Sequence, residues 1–264
     1  MTDVISIAGE KEEQKPLRRA LRWIPGVIFR PRQMFAELAE ENRSSWFLPL
    51  ALLTVVVLLS VIANGSVKQA NAMTGEISLP NDFQYYPPEM QERFMQATQA
   101  TSSPTFLYAM PALLRVSGIF VLWLITGGLL HLILTTFGGR APGGTVLNVA
   151  AWAMMPLTVR AAIRFFYVLF SRQLIASQGL AGFAPAGTGR LALLLSAGLA
   201  LIDIYLFWQI ALVFIGTRAA SGLPAAKNLS AVLITFVLLI GLQTLVGYGL
   251  ARLGIAMIGS PIAF

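Results

Sequence analysis

The sequence predicts an all-α, polytopic membrane protein: a five-helix transmembrane bundle preceded by a cytoplasmic N-terminal amphipathic helix. Three observations predict it. Hydrophobic residues fill 56% of the 264 positions and charged residues only 12%, about half the charged share of a soluble domain. Apolar runs of bilayer-spanning length alternate with short polar breaks. Positive charge is gathered at one end: of 19 lysines and arginines, eight (Lys11, Lys15, Arg18, Arg19, Arg22, Arg30, Arg32 and Arg43) fall within residues 1–45. The expected organisation is a polar, basic cytoplasmic segment, 1–45, and a five-span membrane domain, 46–264, that includes an extracytoplasmic segment, 64–109.

Residues 1–15 are polar and read as disordered. The polar start is too long for a secretory leader, so the first apolar segment reads as an uncleaved anchor. Leu17, Leu21, Ile24 and Ile28 then follow helical spacing, with an interruption at Pro25-Gly26. In "FRPRQMFAELAEENRSSW", Pro31 suits the first turn of a helix and pushes Arg30 toward extended geometry. Met34, Phe35 and Leu38 make one face; Glu37, Glu40 and Glu41 make the other, a solvated one. With Arg30 and Arg32 beside it, this reads as a short interfacial helix on the cytoplasmic leaflet. A helix packed under the protein itself is the alternative.

Five spans follow. The first is 46–63, opened by Trp46 and closed by Asn64-Gly65. The second is 110–137. The third is 145–170, interrupted at Pro156. The fourth is 191–217 and the fifth 229–250. The basic N-terminus belongs on the cytoplasmic side of the inner membrane. Loops 138–144 and 218–228, with Arg140, Arg218 and Lys227, then face the cytoplasm and the C-terminus lies outside. Within 64–109, Pro88 can start an amphipathic helix with Met90, Phe94 and Ala97 on one face. Residues 173–190, rich in Gly and Ala, read as a flexible connection.

The search for chemistry is short. With no cysteine, disulfides, thiolate catalysis and cysteine-based metal sites are excluded. His131 is the single histidine and reads as a buried hydrogen-bonding group, not a metal ligand. "GGRAPGG", Gly138–Gly144, lacks the Gly-Lys-Ser/Thr ending of a phosphate-binding loop and reads as a turn. No catalytic residue, metal or cofactor is expected, and no enzyme. The expected partners are membrane lipids and a membrane-protein partner or a second copy, with no nucleic acid. Gly127, Gly128, Gly198, Gly216, Gly241, Gly247 and Gly249 would allow close helix approach.

One stretch resists a purely apolar reading: "MMPLTVRAAIRFFYVLF", Met154–Phe170. Arg160 and Arg164 stack four residues apart on one helix face, and a charge at bilayer depth costs at least a few kcal/mol unless paired, wet or snorkelled. Asp203 is the one carboxylate within the five predicted spans. At 1.5 Å per residue, Asp203 and Arg160 both lie about 21–23 Å from the inner face. The expectation is an ion pair of Asp203 with Arg160, or with Arg164 one turn on, which Arg115 could join. Such a group either fixes helix register or forms an anion or lipid-headgroup site, since arginine grips phosphate with a planar fork.

Three stretches carry a family resemblance. "FRPRQMFAELAEENRSSWFLPLALL", Phe29–Leu53, resembles the opening of prokaryotic Yip1-domain proteins. "GGRAPGGTVLNVAAWAMMPL", Gly138–Leu157, is similar to the family's Gly-rich turn and a span with a mid-helix proline. "DIYLFWQIALVFIGTRAASGLPAAKN", Asp203–Asn228, is similar to its fourth span. The Arg160/Arg164 pair departs from the pattern. The resemblance implies five spans, a cytosolic N-terminus and a non-enzymatic role. Eukaryotic relatives act in membrane traffic with small GTPases, and some bacterial relatives are associated with ABC-type exporters. The expected function is an accessory or scaffold protein of another membrane complex. The alternative is a lipid- or small-molecule-handling transporter using the Arg/Asp site.

Overall fold

The computed structural model describes residues 21–40, 44–73, 83–175, 177–185 and 189–252. The disorder expected for 1–15, the apolar Leu17, five of the eight N-terminal basic residues, Glu41 and the outward C-terminus lie outside the described residues. Among the described residues there are helices and no strand. They are α1 (21–29), α2 (Pro31–Glu40), α3 (Phe47–Met73), α4 (Pro88–Thr101), α5 (Met110–Thr136), α6 (Gly143–Trp152), α7 (Met155–Ser171), α8 (Arg190–Leu199), α9 (Ile204–Ser221) and α10 (Ala225–Arg252).

Five stretches are long and apolar enough to cross a membrane: Phe47–Ala72, Thr105–Thr136, Gly143–Ser171, Ile204–Ser221 and Ala225–Leu250. The third is the enclosed one, with 78% of its most apolar window buried against 33–39% for the others. Arg160 falls in this buried part, whereas Arg164 is half-buried.

Several boundaries differ from expectation, each for a physical reason. Pro25-Gly26 does not interrupt α1. A proline removes one donor, and the ladder resumes with Arg30 N–H donating to Gly26 O at 2.8 Å. Asn64-Gly65 does not close the first span, since α3 continues to Met73. Asn64 Nδ2 bonds back to Ser60 O at 2.6 Å, and Gly65 lies under the Tyr108 ring, which a Cβ would strike. The third span breaks at Ala153–Met154, so that Pro156 falls in the first turn of α7, where its missing N–H costs nothing. The fourth span is not one helix: α8 ends at Leu199 and α9 begins at Ile204.

The chain forms two compact units. The first comprises Met1–Leu53, Val121–Leu157 and Ile204–Ile240; the second comprises Thr54–Phe120, Thr158–Asp203 and Gly241–Phe264.

The first unit has a dense core around α2, α6 and α9. Phe35, Leu38, Val146, Val149, Trp152 and Val213 are completely buried in it. The apolar face of α2, Met34, Phe35 and Leu38, is thus turned onto the protein, while Arg30 and Arg32 are exposed and Pro31 is half-buried. Gly216 makes this contact possible: a Cβ there would lie 2.5 Å from Val149 and 2.9 Å from Phe35. Trp23 meets Trp152 edge-on at 5.7 Å, a favoured aromatic geometry. The Gly-rich stretch forms the turn between α5 and α6, with Gly138 at φ 92°. Gly127 also permits a close approach, to Leu147. Gly128, Gly241 and Gly249 have nothing within 4 Å of a Cβ, so they serve no close approach among the described residues.

The second unit has a smaller apolar core. Ala63 and Val67 of α3 pack with Val168 of α7, flanked by Phe165. Ser60 Oγ donates to Ala161 O at 3.3 Å between the same two helices. At the α4 end, the Phe94 ring meets Phe83 at a tilt of 57° with ring centroids 5.3 Å apart, while Met90 on the expected shared face is exposed.

Candidate functional site

The charged residues singled out in the spans divide into two groups within the second unit. Arg160 lies in the second turn of α7. Its Nη1 donates to Asp203 Oδ2 at 2.6 Å, with both side chains at most 13% exposed. A charge-assisted bond of this length is a strong one. It offsets part of the desolvation that either ion alone would suffer.

Asp203 does not sit inside a helix. It immediately precedes Ile204, at the N-cap position of α9. Aspartate is favoured there because its short side chain can reach the first free N–H groups. Its negative charge also meets the positive end of the helix dipole. The α8–α9 break thus delivers a carboxylate to a fixed point near Arg160.

A break in an apolar span leaves backbone carbonyls in need of partners. The 173–190 connection supplies one. Its 3-10 turn, Gly179–Phe183, packs against α8, and Leu180 N–H donates to Ile202 O at 3.1 Å. Gly179 adopts φ 53°, and a Cβ there would lie 2.7–2.8 Å from the carbonyl oxygens of Leu199, Ala200 and Ile202. Both the backbone conformation and the space demand glycine. The stretch expected to be a loose connection is here a plug for the broken span.

Arg164, one turn beyond Arg160, reaches the same plug: its Nη1 donates to Gln178 Oε1 at 3.2 Å. The two arginines of α7 therefore hold two sides of one assembly, the helix break and the turn that fills it. Among the described residues, Arg115 takes no part in the hydrogen bonds or ion pair of this assembly. Its Nε is buried without a partner. Gln178 and Gly179 escaped sequence reasoning, since a Gln-Gly pair in a Gly/Ala-rich loop carries no distinguishing pattern. The break itself had a signal: Asp before an apolar helical run is a helix-start signature.

The first unit contains a cleft of 380 Å³ between α1 and α2, lined among others by Arg22, Trp23, Phe29, Arg30 and Glu37. Glu37 Oε2 accepts from Arg22 Nη2 and from Trp23 Nε1, each at 3.1 Å. Phe29 is 80% exposed at its mouth.

Comparison with known families places this architecture. The Yip1 domain matches residues 26–248, most of the chain, and the chain belongs to that family of multi-pass membrane proteins. No curated protein matches it, and no solved structure does.

Proposed function

We propose that this member of the Yip1-domain family is a non-enzymatic accessory or scaffold protein of the cell's inner membrane. It would associate with another membrane complex, such as an ABC-type exporter. The observation that carries this reading is the Arg160–Asp203 bond. The carboxylate of the broken span is engaged by an arginine at 2.6 Å, and the break is filled by Gly179–Phe183. The assembly is occupied with holding the protein together, which suits a body that presents surfaces to a partner.

In this reading the N-terminus is cytoplasmic and the C-terminus extracytoplasmic. The lipid-facing part of the N-terminal region is then Phe29 with Arg30 and Arg32, an exposed aromatic beside exposed cations, a combination suited to an anionic membrane surface. The buried Met34, Phe35 and Leu38 anchor that region to the protein.

Purification of the full chain in mild detergent, with identification of what travels with it, tests the reading. A stoichiometric membrane-complex subunit that stays bound after reciprocal tagging supports it. A particle that stays alone at native expression counts against it.

A broken span carrying a charged pair also favours a second reading, a lipid- or small-molecule-handling transporter, because discontinuous helices form substrate sites in many transporters. Substrate-dependent protection of Asp203 from carboxyl modification separates the two.

A further inference from the structure

The cleft between α1 and α2 belongs to the first unit and takes no part in the Arg160 assembly. Contacts fix its place along the spans. Phe35 of α2 and Val149 of α6 both close on Gly216, five residues before α9 ends at Ser221, about 7.5 Å along the helix. Arg140 N–H donates to Ser221 O at 3.3 Å, which sets the α5–α6 turn beside that same end. The α2 helix therefore crosses α9 within the 5–10 Å or so at which interfacial helices lie. Among the described residues of this unit, the cations Arg22, Arg30, Arg32, Arg140, Arg218 and Lys227 outnumber the acids, Glu37 and Glu40. A surface of that sign attracts anionic lipid.

The cleft's 380 Å³ falls within the range of small-ligand sites, about 300–1,000 Å³. Its lining carries two cations, Arg22 and Arg30, and one acid, Glu37. The acid is engaged: its Oε2 accepts from both Arg22 Nη2 and Trp23 Nε1. Trp23 is buried in the core, so its indole fixes the carboxylate in the wall, and the carboxylate fixes Arg22. The Arg22 and Glu37 side chains are 69% and 37% exposed, and a pair so open adds little to stability. Its effect is to orient a guanidinium. Among the described residues, Arg22 makes no other side-chain bond, and Arg30 and Gln33 make none. The cleft thus offers the remaining donors of two planar forks and an amide, around one net positive charge. A phosphate diester matches it, with one negative charge and oxygens spaced for the fork. Phe29, exposed at the mouth, supplies apolar surface for acyl chains.

We propose that the α1–α2 cleft binds the headgroup of one anionic phospholipid, with Arg22 and Arg30 on the phosphate oxygens and Phe29 against the acyl chains. The proposal rests on the membrane-surface reading of Phe29 and Arg30 and gives it a specific ligand. It does not depend on a partner protein and would stand even if no companion were found.

The test is native mass spectrometry of the full chain in mild detergent, titrated with dioleoyl phosphatidylglycerol or dioleoyl phosphatidylcholine. The ionic strength is held at about 0.15 M, where exposed charges more than about 8 Å apart are screened. The wild type is expected to retain one anionic lipid with about tenfold preference. Arg22→Gln or Arg30→Gln should lose about that factor, the scale of one charge-assisted hydrogen bond. Both arginines are exposed, so these variants keep the fold. Glu37→Gln leaves an acceptor for Trp23 and Arg22 but removes the negative charge. It should tighten the anionic lipid by about threefold, a gain that a purely structural role for Glu37 does not give. Arg32→Gln, an exposed change outside the lining, leaves the affinity as it is. Millimolar inorganic phosphate, which has no chains to meet Phe29, is expected not to displace the lipid; displacement overturns the lipid as the ligand. Wild-type affinity in Arg30→Gln, or an equal loss in Arg30→Gln and Arg32→Gln, overturns the cleft while the membrane-surface reading stands. Equal binding of the two lipids overturns both.

Discussion

The two units solve the problem of holding helices together with different materials. In the first, large side chains do it: Phe35, Leu38, Leu130, Val149, Trp152 and Val213 interlock with almost no exposure. Polar groups there are satisfied at the edges, as where Trp152 Nε1 donates to Ser45 Oγ at 3.2 Å. In the second, Ala63, Val67 and Val168 form the shared core with Phe165 against it, and specific polar contacts carry the rest, above all Arg160 to Asp203 and Arg164 to Gln178. Shape complementarity tolerates change in proportion to lost volume. A charged pair fails when either member is removed, because the survivor is left buried and unpaired.

That contrast can be broken in order of expected effect. Phe35→Ala should cost the most, about 3–5 kcal/mol, by opening a cavity that the surrounding helices cannot fill. Thermal unfolding in detergent checks it, and a loss below about 1 kcal/mol would mean that α2 is not integral to the first unit. Arg160→Gln should cost about 3 kcal/mol, the low end for breaking a buried pair, because Asp203 keeps slight exposure. Arg160→Gln combined with Asp203→Asn should cost at least about 1 kcal/mol less than the two single losses summed. Strict additivity would show that the two residues act separately.

A matched pair of glycines sharpens the comparison. Gly138 in the first unit and Gly179 in the second both have positive φ, but only Gly179 is surrounded by carbonyl oxygens at Cβ distance. Gly138→Ala should cost about 1 kcal/mol from backbone strain alone, whereas Gly179→Ala should exceed about 2 kcal/mol. Equal losses would remove the plug from the account of the second unit. The smallest effect is a gain. Arg172 ends α7 with φ 56°, a left-handed conformation that glycine adopts freely. Arg172→Gly should raise stability by up to about 1 kcal/mol, read as a higher midpoint in the same melting experiment.

The helical, five-span character of the chain was legible because burial in lipid demands long apolar runs, and composition alone reports those. The turn at Gly138 and the helix start at Pro31 were legible because both residues act through local backbone geometry. The proximity of Arg160 and Asp203 followed from scarcity and depth, one acid and a nearby base at similar height in antiparallel spans. Continuity of the fourth span did not follow. Its break depends on Leu180 and Gly179 meeting carbonyls about twenty residues later in the chain, a contact that no local pattern encodes. Gly65 misled for a similar reason, since the Tyr108 ring that covers it lies over forty residues away.

The amino-acid sequence by itself determined that this chain enters a membrane, in how many spans, and which few charges must be answered within them, since each is a matter of transfer free energy residue by residue. Only the tertiary structure decided which partner answers which charge. It turned the α2 face inward and gave Arg164 to Gln178, because pairing at a distance depends on helix rotation and on where a span is allowed to break.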